Sequence, residues 1–334
     1  MTSLEPPSLA VPRQSAVRRA WRAIAAAEYA PIWIATAVLF AISAIVVPDA
    51  FTGPSLASTL TFSGVLAVAA VGQTLIVQQR GIDLSVPGTI TLCAMVLPLF
   101  MQRSGAPLVG GLAAVFVVAV VIGLVNGLLV TRLSITPLIV TLAVNSLLLG
   151  ATLSYTRGLP SAAAPESLQS FAGSKVLGVP VVAWVAVMVV AIVTFVVHRT
   201  VVGRRFVAVG ASPAAARAGG VAVERYVLGA YVVGAVCFAA AAVLLVGYLQ
   251  SATVRIGNDY LFPSIAAVVV GGTSLAGGKG SVVASAVAAL FLTHLVQVLL
   301  TLGAPSSAQF LAQAVAIAVA AAALPLWRAS RRRR

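Results

Sequence analysis

Residues 203–226 read GRRFVAVGASPAAARAGGVAVERY, the longest polar break on the arginine-rich side of a chain that is otherwise mostly apolar. Ser212 is a candidate helix N-cap, Pro213 a candidate first helical residue, and the Gly219–Gly220 pair a helix terminator. The alanines between them favour a helix of about two turns, which is too short to be stable alone. The residues leave two interpretations open: a docking surface for another protein, or a solvated connector on a membrane surface.

The flanking sequence is too apolar for a soluble protein. Of the 334 residues of the whole chain, 60% are hydrophobic and 8% are charged, whereas soluble domains carry about 25% charged residues. The net charge of +14 at pH 7 does not indicate nucleic-acid binding, because the basic residues cluster at the ends of apolar segments. Cys93 and Cys237 lie in apolar runs without metal-ligand spacing, so we interpret both as packing residues. The composition predicts an all-α, polytopic integral membrane protein.

A membrane-spanning helix needs about 20 mostly apolar residues. The charge-free gaps in the chain, with the last one divided at residues 303–307, supply ten such segments. They lie at residues 30–48, 56–78, 86–102, 107–130, 136–155, 180–198, 227–249, 261–275, 282–302 and 307–327. Residues 1–29 are then predicted to be an N-terminal tail, residues 30–327 a transmembrane domain, and residues 328–334 a basic tail.

The basic residues predict the orientation of these spans, because cytoplasmic connections carry an excess of lysine and arginine. If the N-terminus is cytoplasmic, 17 of the 21 basic residues lie inside. The four that lie outside are Arg103, Arg157, Lys175 and Arg255. An even number of spans also places the basic C-terminal tail inside, so we expect both termini in the cytoplasm.

The chain carries no catalytic constellation. Its seven acidic residues all fall outside the predicted spans: Glu5, Glu28, Asp49, Asp83, Glu166, Glu224 and Asp259. Proton- or sodium-coupled carriers commonly use an intramembrane carboxylate, so this distribution argues against one. The glycine-rich loop at residues 271–281 does not match a phosphate loop, because Gly280 follows Lys279 where serine or threonine is needed. We expect no metal and no cofactor on this chain, and ATP hydrolysis, if used, on a separate polypeptide.

Neutral polar residues inside the spans have two interpretations, which the sequence leaves open. They bond helices to each other, or they line a pathway for a neutral, hydroxyl-rich solute such as a sugar. The pathway candidates are Gln73, Asn126, Thr141, Asn145 and Gln297.

A second unusual connection reads QQRGIDLSVPG at residues 78–88. Asp83 or Ser85 is a candidate cap, and Pro87 suits the first turn of the next helix. The connection is either a capped turn with an Arg80–Asp83 ion pair or a re-entrant element where broken helices meet a pathway. The candidates for a structural or gating role are Gly81, Asp83, Ser85 and Gly88.

Four stretches together resemble the permease subunits of bacterial ABC importers of the ribose/xylose/galactose type, within the group that includes branched-chain amino acid permeases. They are GIDLSVPG at 81–88, NGLLVTRLSITPLIVTLAVNSLLLG at 126–150, VGASPAAARAGGV at 209–221 and AAVVVGGTSLAGGKGS at 266–281. The chain departs from the family pattern at residues 211–213, where a Gly/Asn-rich entry is common, and at residues 86–88, where Val-Gly is usual.

The resemblance implies two permease subunits, identical or paralogous, in the bacterial inner membrane. Cytoplasmic ATP-binding subunits would drive them, and a periplasmic or lipid-anchored binding protein would deliver a neutral monosaccharide. The resemblance also implies that residues 209–221 form the coupling helix, which docks into the ATP-binding subunit. The contact candidates are Gly210, Ser212, Pro213, Ala216, Arg217 and Gly220. The alternatives are a stand-alone secondary carrier, a membrane-embedded enzyme, or an ABC permease for a nucleoside, polyol or branched-chain amino acid.

Overall fold

The fold is built almost entirely from helices. A computed structural model describes residues 29–332, so the predicted tail at 1–29 lies outside the described residues except for Tyr29. The helices are α1 (Ala30–Val46), α2 (Gly53–Gln78), α3 (Val86–Ser104), α4 (Leu108–Arg132), α5 (Pro137–Thr156), α6 (Glu166–Gly173), α7 (Val181–Arg199), α8 (Val201–Ala211), α9 (Pro213–Ala218), α10 (Val223–Leu249), α11 (Leu261–Val270), α12 (Val282–Thr301) and α13 (Ser306–Arg332). Each predicted span coincides with one of these helices, with ends that shift by a few residues.

Seven of the described helices, α2, α3, α4, α5, α7, α10 and α12, are long and apolar enough to cross a membrane. Shorter apolar helical stretches occur at Ala30–Val46, Asn258–Val270 and Ser306–Val319. The chain is therefore a helical, multi-pass membrane protein. The count of ten spans, the cytoplasmic termini and the tail at 328–334 stay predictions, and α13 continues through Arg332.

Four short strands were not predicted. β1 (Ser161–Ala163) pairs antiparallel with β4 (Ser251–Thr253), and β2 (Lys175–Val176) pairs antiparallel with β3 (Val179–Pro180). The β1–β4 pair joins the connection after α5 to the connection after α10. Strands of two or three residues are too short to show the alternating pattern by which a sequence predicts a strand.

The centre of the fold is α2, which packs against α7, α10 and α12. Helix α10 approaches α2 and α4 closely because small residues face one another. A Cβ atom at Gly72 would lie 2.8 Å from the Gly234 carbonyl oxygen, and one at Gly123 would lie 2.5 Å from the Val232 Cα atom. Such small-residue contacts are typical of helices that pack within a membrane.

The outer surface of the bundle is apolar. Large side chains on α4, α5 and α7 are more than half exposed, among them Val117, Leu142, Leu147, Val187 and Phe195. In water this surface would be strongly unfavourable, so it fits contact with lipid acyl chains or with other membrane helices.

Candidate functional site

The short helix α9 begins and ends where the sequence predicts. The Ser212 hydroxyl accepts a hydrogen bond from the Ala215 backbone N–H at 3.3 Å, and Pro213 lies in the first turn. The helix ends at Ala218, and Gly219 is its C-cap. The predicted N-cap, first residue and terminator are therefore confirmed, and the six residues of the helix make about 1.7 turns, close to the two predicted.

Gly220 completes the end of α9 with a left-handed backbone, φ +76°. Its N–H donates to the Arg217 carbonyl, and the Val221 N–H donates to the Ala216 carbonyl, both at 3.0 Å. This is the Schellman arrangement, which satisfies the last carbonyls of a helix and favours glycine at the left-handed position.

One side of α9 is held by the protein, and the other is exposed. Ala216 is buried and packs with Val209 and Val223. Arg217 forms an ion pair with Glu224 at 2.7 Å, and both side chains are about half exposed or more. The other exposed residues of the helix are Ala214, Ala215 and Ala218. The exposed face is thus a flat row of small side chains beside one arginine.

Helix α8, which precedes α9, was not predicted, because the only helix predicted within residues 203–226 was the short one that begins at Pro213. The Thr200 hydroxyl caps α8 by accepting from the Gly203 N–H at 3.0 Å. The buried residues Gly203, Phe206, Val209 and Gly210 lie on one face. Their spacing of three to four residues is the helical signal that could have identified α8.

The C-terminal end of α8 is bound to the C-terminal end of α2. The Gln79 side-chain amide donates to the Phe206 carbonyl at 2.9 Å. The Arg80 guanidinium donates to the carbonyls of Gly210 (3.0 Å) and Ala211 (2.6 Å), the last two of α8. A cation at this position also interacts favourably with the helix dipole. The expected Arg80–Asp83 ion pair is therefore wrong, because α8 carbonyls occupy the guanidinium.

A third segment meets the same place. The Gly278 N–H, in the glycine-rich loop between α11 and α12, donates to the Gln78 carbonyl at 2.9 Å. We call residues 78–81, 206–211 and 274–278 the inner junction. Arg80 has a left-handed backbone there, with φ +66°, which costs a residue other than glycine about 1–2 kcal/mol. Its two bonds to α8 are the contacts that offset this cost.

Between α2 and α3 the chain is extended, and residues from α5 satisfy its backbone. The Leu84 N–H donates to the Thr141 hydroxyl at 2.9 Å. The Gly88 N–H, in the first turn of α3, donates to the Asn145 side-chain oxygen at 2.8 Å. We call residues 81–85 the extended segment. Non-helical backbone between membrane helices requires such partners, because lipid supplies none.

Asp83 and Ser85 form a buried network inside the extended segment. One Asp83 carboxylate oxygen accepts from the Ser85 N–H at 2.7 Å and from the Ser85 hydroxyl at 2.6 Å. The Asn126 side-chain amide of α4 donates to the same hydroxyl at 2.9 Å. Burial raises the pKa of the Asp83 carboxyl to about 6, although the hydrogen bonds from Ser85 act in the opposite direction. Ser85 is the N-cap of α3, but its side chain makes no capping bond.

The structure brings three of the five pathway candidates together. Asn126, Thr141 and Asn145 all contact the extended segment or the first turn of α3, alongside the four gating candidates. Gln73 is fully buried in α2, and neither polar atom of its side chain has a hydrogen-bond partner among residues 29–332. Gln297 donates to the Ser55 hydroxyl at 3.1 Å, at the opposite end of α2 from the inner junction. The structure therefore shows that Asn126, Thr141 and Asn145 bond neighbouring elements to each other. The pathway interpretation stays a prediction.

Some coupling candidates are buried rather than exposed. Gly210 and Ala216 face the protein, whereas Arg217 and Gly220 are exposed, and Ser212 and Pro213 are partly exposed. A Cβ atom at Gly210 would meet the Gln78 carbonyl oxygen. Contact of Gly210 with a second protein stays a prediction, and its visible contacts are with the inner junction.

Replacement of Thr141 by valine is expected to lower the free energy of unfolding by about 1–3 kcal/mol, because the partly buried Leu84 N–H would lose its acceptor. Thr152 is a matched control in the same helix, since its buried hydroxyl donates only to the Leu148 carbonyl of α5 itself. Thr152→Val should change stability by less than half as much. Unfolding of both purified variants in detergent, followed by tryptophan fluorescence, makes the comparison. Equal losses would contradict a specific role for Thr141 in supporting the extended segment.

The comparisons with known proteins agree with this architecture. The branched-chain amino acid transport system / permease component family matches residues 55–323. The ribose import permease protein RbsC of Escherichia coli K12 is 35% identical over 291 residues, which cover 86% of this chain and 90% of the relative. The autoinducer 2 import system permease protein LsrD of Escherichia coli O9:H4 is 32% identical over 248 residues, 72% of this chain and 74% of the relative.

The ribose import permease protein of Haemophilus influenzae is 32% identical over 292 residues, with coverage of 86% and 90%. No solved structure matches the chain. Because the family model matches residues 55–323, most of the chain, the chain belongs to the branched-chain amino acid transport system permease family.

Proposed function

We propose that this chain is the membrane permease subunit of an ATP-driven ABC importer and carries a neutral monosaccharide across the bacterial inner membrane. The observation that carries the proposal is α9, a short capped helix with one face pinned to the protein and a row of small side chains exposed. Such a face fits a groove on another protein. We assign the ATP-binding subunit as that partner, with Ser212, Pro213, Arg217 and Gly220 as contacts and with Gly210 and Ala216 positioning the helix.

The proposed assembly has further members: a second permease subunit, identical or paralogous, and a periplasmic or lipid-anchored solute-binding protein. The relatives support an importer, because their names describe import permeases for ribose and for autoinducer 2. The exposed apolar faces of α4, α5 and α7 offer area for a second permease subunit as well as for lipid.

A neutral solute fits the polar residues near the break in the α2–α3 connection. Asn126, Thr141 and Asn145 supply neutral donors and acceptors there. Gln73, inside α2, adds two polar atoms unoccupied by the described protein. The acidic residues among 29–332 lie at helix ends or in connections: Asp49, Asp83, Glu166, Glu224 and Asp259. We propose that these neutral residues, with the extended segment as a gate, form the pathway, and that Gln297 joins it at the other end of α2.

The proposal is tested by reconstitution into proteoliposomes with candidate ATP-binding and solute-binding proteins from the same genome. Uptake of radiolabelled ribose is measured with ATP, without ATP, and with a non-hydrolysable analogue. ATP-dependent uptake that also requires the binding protein supports an importer. Uptake by the permease alone, without ATP, would support a stand-alone carrier instead.

Arg217→Glu is expected to reduce ATP-dependent uptake at least tenfold. The free energy of unfolding should change little, because an exposed ion pair contributes about 0–1 kcal/mol to stability. The free energy of docking should change more, because a reversed charge in a docked surface costs several kcal/mol. The matched control is the double exchange Arg217→Glu with Glu224→Arg, which keeps an ion pair on α9 but reverses its polarity. Both variants should lose uptake and retain insertion. If the double exchange restores uptake, the ion pair and not docking is what matters, and the assignment of α9 fails.

A further inference from the structure

A cavity of about 630 Å³ lies between the C-terminal end of α7, the helix α8 and the N-terminal end of α10. Its walls are mainly apolar, with Val193, Phe206 and Tyr226 among them. We call it the basic cleft, because Arg205 and Arg225 also line it. It lies beside α9, and Gly220 is the one proposed docking contact that also lines it.

The two arginines of the basic cleft have no protein partner. Within residues 29–332 neither Arg205 nor Arg225 makes an ion pair or a hydrogen bond through its side chain, and both are exposed. No acidic residue lines the cavity. Two nearby arginines do have partners, since Arg80 binds α8 carbonyls and Arg217 binds Glu224. Arg204, next to Arg205 on α8, has no side-chain partner among residues 29–332 but lies outside the cavity. The basic cleft therefore combines an apolar interior with two uncompensated positive charges.

The position of the basic cleft, at the ends of two membrane helices, favours a lipid as its ligand. Both α7 and α10 are apolar enough to span a membrane, so a cleft between their ends lies at the level of a membrane surface. The predicted orientation puts this end on the cytoplasmic side, where anionic lipids are enriched and basic pockets between helices bind their headgroups. A tyrosine in the wall also fits the headgroup level, where its ring is stable.

We propose that the basic cleft binds one anionic phospholipid, with an acyl chain among the apolar residues and the phosphate between Arg205 and Arg225. Charge complementarity distinguishes this occupant from a zwitterionic lipid, which carries no net negative charge. The proposal does not depend on the transported solute or on ATP coupling. The bound lipid would contact α7, α8 and α10 where these helices meet, and α8 and α10 are the helices that flank α9.

Gly229 of α10 provides a way to close the cleft without disturbing the fold. It lines the cavity, and a Cβ atom there would meet nothing within 4 Å. Leucine at this position would fill the cavity and also raise helix propensity by about 0.5–1 kcal/mol. Gly229→Leu therefore removes space for a lipid and leaves both arginines in place.

The test measures lipids retained by the purified permease. Protein in mild detergent is equilibrated with equal amounts of phosphatidylglycerol and phosphatidylcholine, and bound lipids are counted by native mass spectrometry. We expect wild type to retain one phosphatidylglycerol at least tenfold more often than one phosphatidylcholine. Arg205→Gln with Arg225→Gln should reduce this preference about tenfold, and Gly229→Leu should reduce retention of both lipids.

The matched control is Arg204→Gln, since Arg204 is the exposed neighbour of Arg205 on α8 but does not line the cavity. It should leave the lipid preference within about twofold of wild type. Equal retention of the two lipids by wild type, or an equal effect of Arg204→Gln and the double variant, would overturn the proposal. So would the finding that Gly229→Leu abolishes association with a second permease chain or with the ATP-binding subunit while lipid retention is unchanged, because the cleft would then be a protein interface.

Discussion

Gly210→Ala is expected to lower the free energy of unfolding by about 3 kcal/mol or more, and so to leave little folded protein in the membrane. Gly210 is buried at the end of α8, and its Cβ position is occupied by the Gln78 carbonyl oxygen. The Gly278 backbone nitrogen lies 3.0 Å from the same position. Because these obstacles are backbone atoms, they cannot rotate away as a flexible side chain would.

Gly210→Ala should also break hydrogen bonds elsewhere in the inner junction. The Gln78 carbonyl accepts the Gly278 N–H, and the Gly210 carbonyl accepts from Arg80, so a displaced α8 would break both contacts. Gly219→Ala is the matched control: it lies in the same connection, and its Cβ would have only ordinary contacts at 3.5 Å. Thermal unfolding and size-exclusion profiles of both variants in detergent make the measurement. A Gly210→Ala protein as stable as Gly219→Ala would show that the inner junction opens without cost.

Asp83→Ala is expected to destabilise the protein by about 2–4 kcal/mol, and Asp83→Asn by less than about 1 kcal/mol. Alanine removes the oxygen that accepts both the Ser85 N–H and the Ser85 hydroxyl, and a buried donor left without a partner costs about 1–3 kcal/mol. Asparagine keeps an oxygen at that position. The difference between the two variants thus measures the hydrogen bonds rather than the negative charge.

The same two variants distinguish an effect on the stability of the protein from an effect on its transport activity. Unfolding midpoints give the stability, and ribose uptake in proteoliposomes gives the activity at a temperature where both variants are folded. We expect Asp83→Asn to insert normally and to retain the conformation of the extended segment. If asparagine is as destabilising as alanine, the carboxylate charge itself supports the segment, and the hydrogen-bond explanation is wrong.

The sequence predicted the positions of the apolar helices well because such helices are recognised by length and apolarity. Seven of the ten are long and apolar enough to cross a membrane, and the count of ten spans stays a prediction. The sequence also predicted both ends of α9, since an N-cap serine, a following proline and a glycine pair act locally. It failed for α8, where only a buried face with few large residues marks the helix. It failed also for the strands, because two or three residues carry no periodic signal.

The extended segment was recognised as unusual, but its partners were not. Pairing of Leu84 with Thr141, or of Ser85 with Asn126, depends on which helices lie side by side, and one sequence does not contain that information. The Arg80–Asp83 ion pair was wrong for the same reason. Proximity along the chain favoured a carboxylate three residues away, whereas the fold presents the guanidinium with the free carbonyls at the end of α8.

The β1–β4 pair forms late during synthesis of the chain. β1 leaves the ribosome long before β4, because α6 to α10 lie between them, and closing so long a loop carries an entropic cost until both strands are in place. Until then β1 has an unpaired backbone edge, which is open to incorrect pairing. Closure of this two-stranded seam therefore cannot occur before α6 to α10 have all been synthesised.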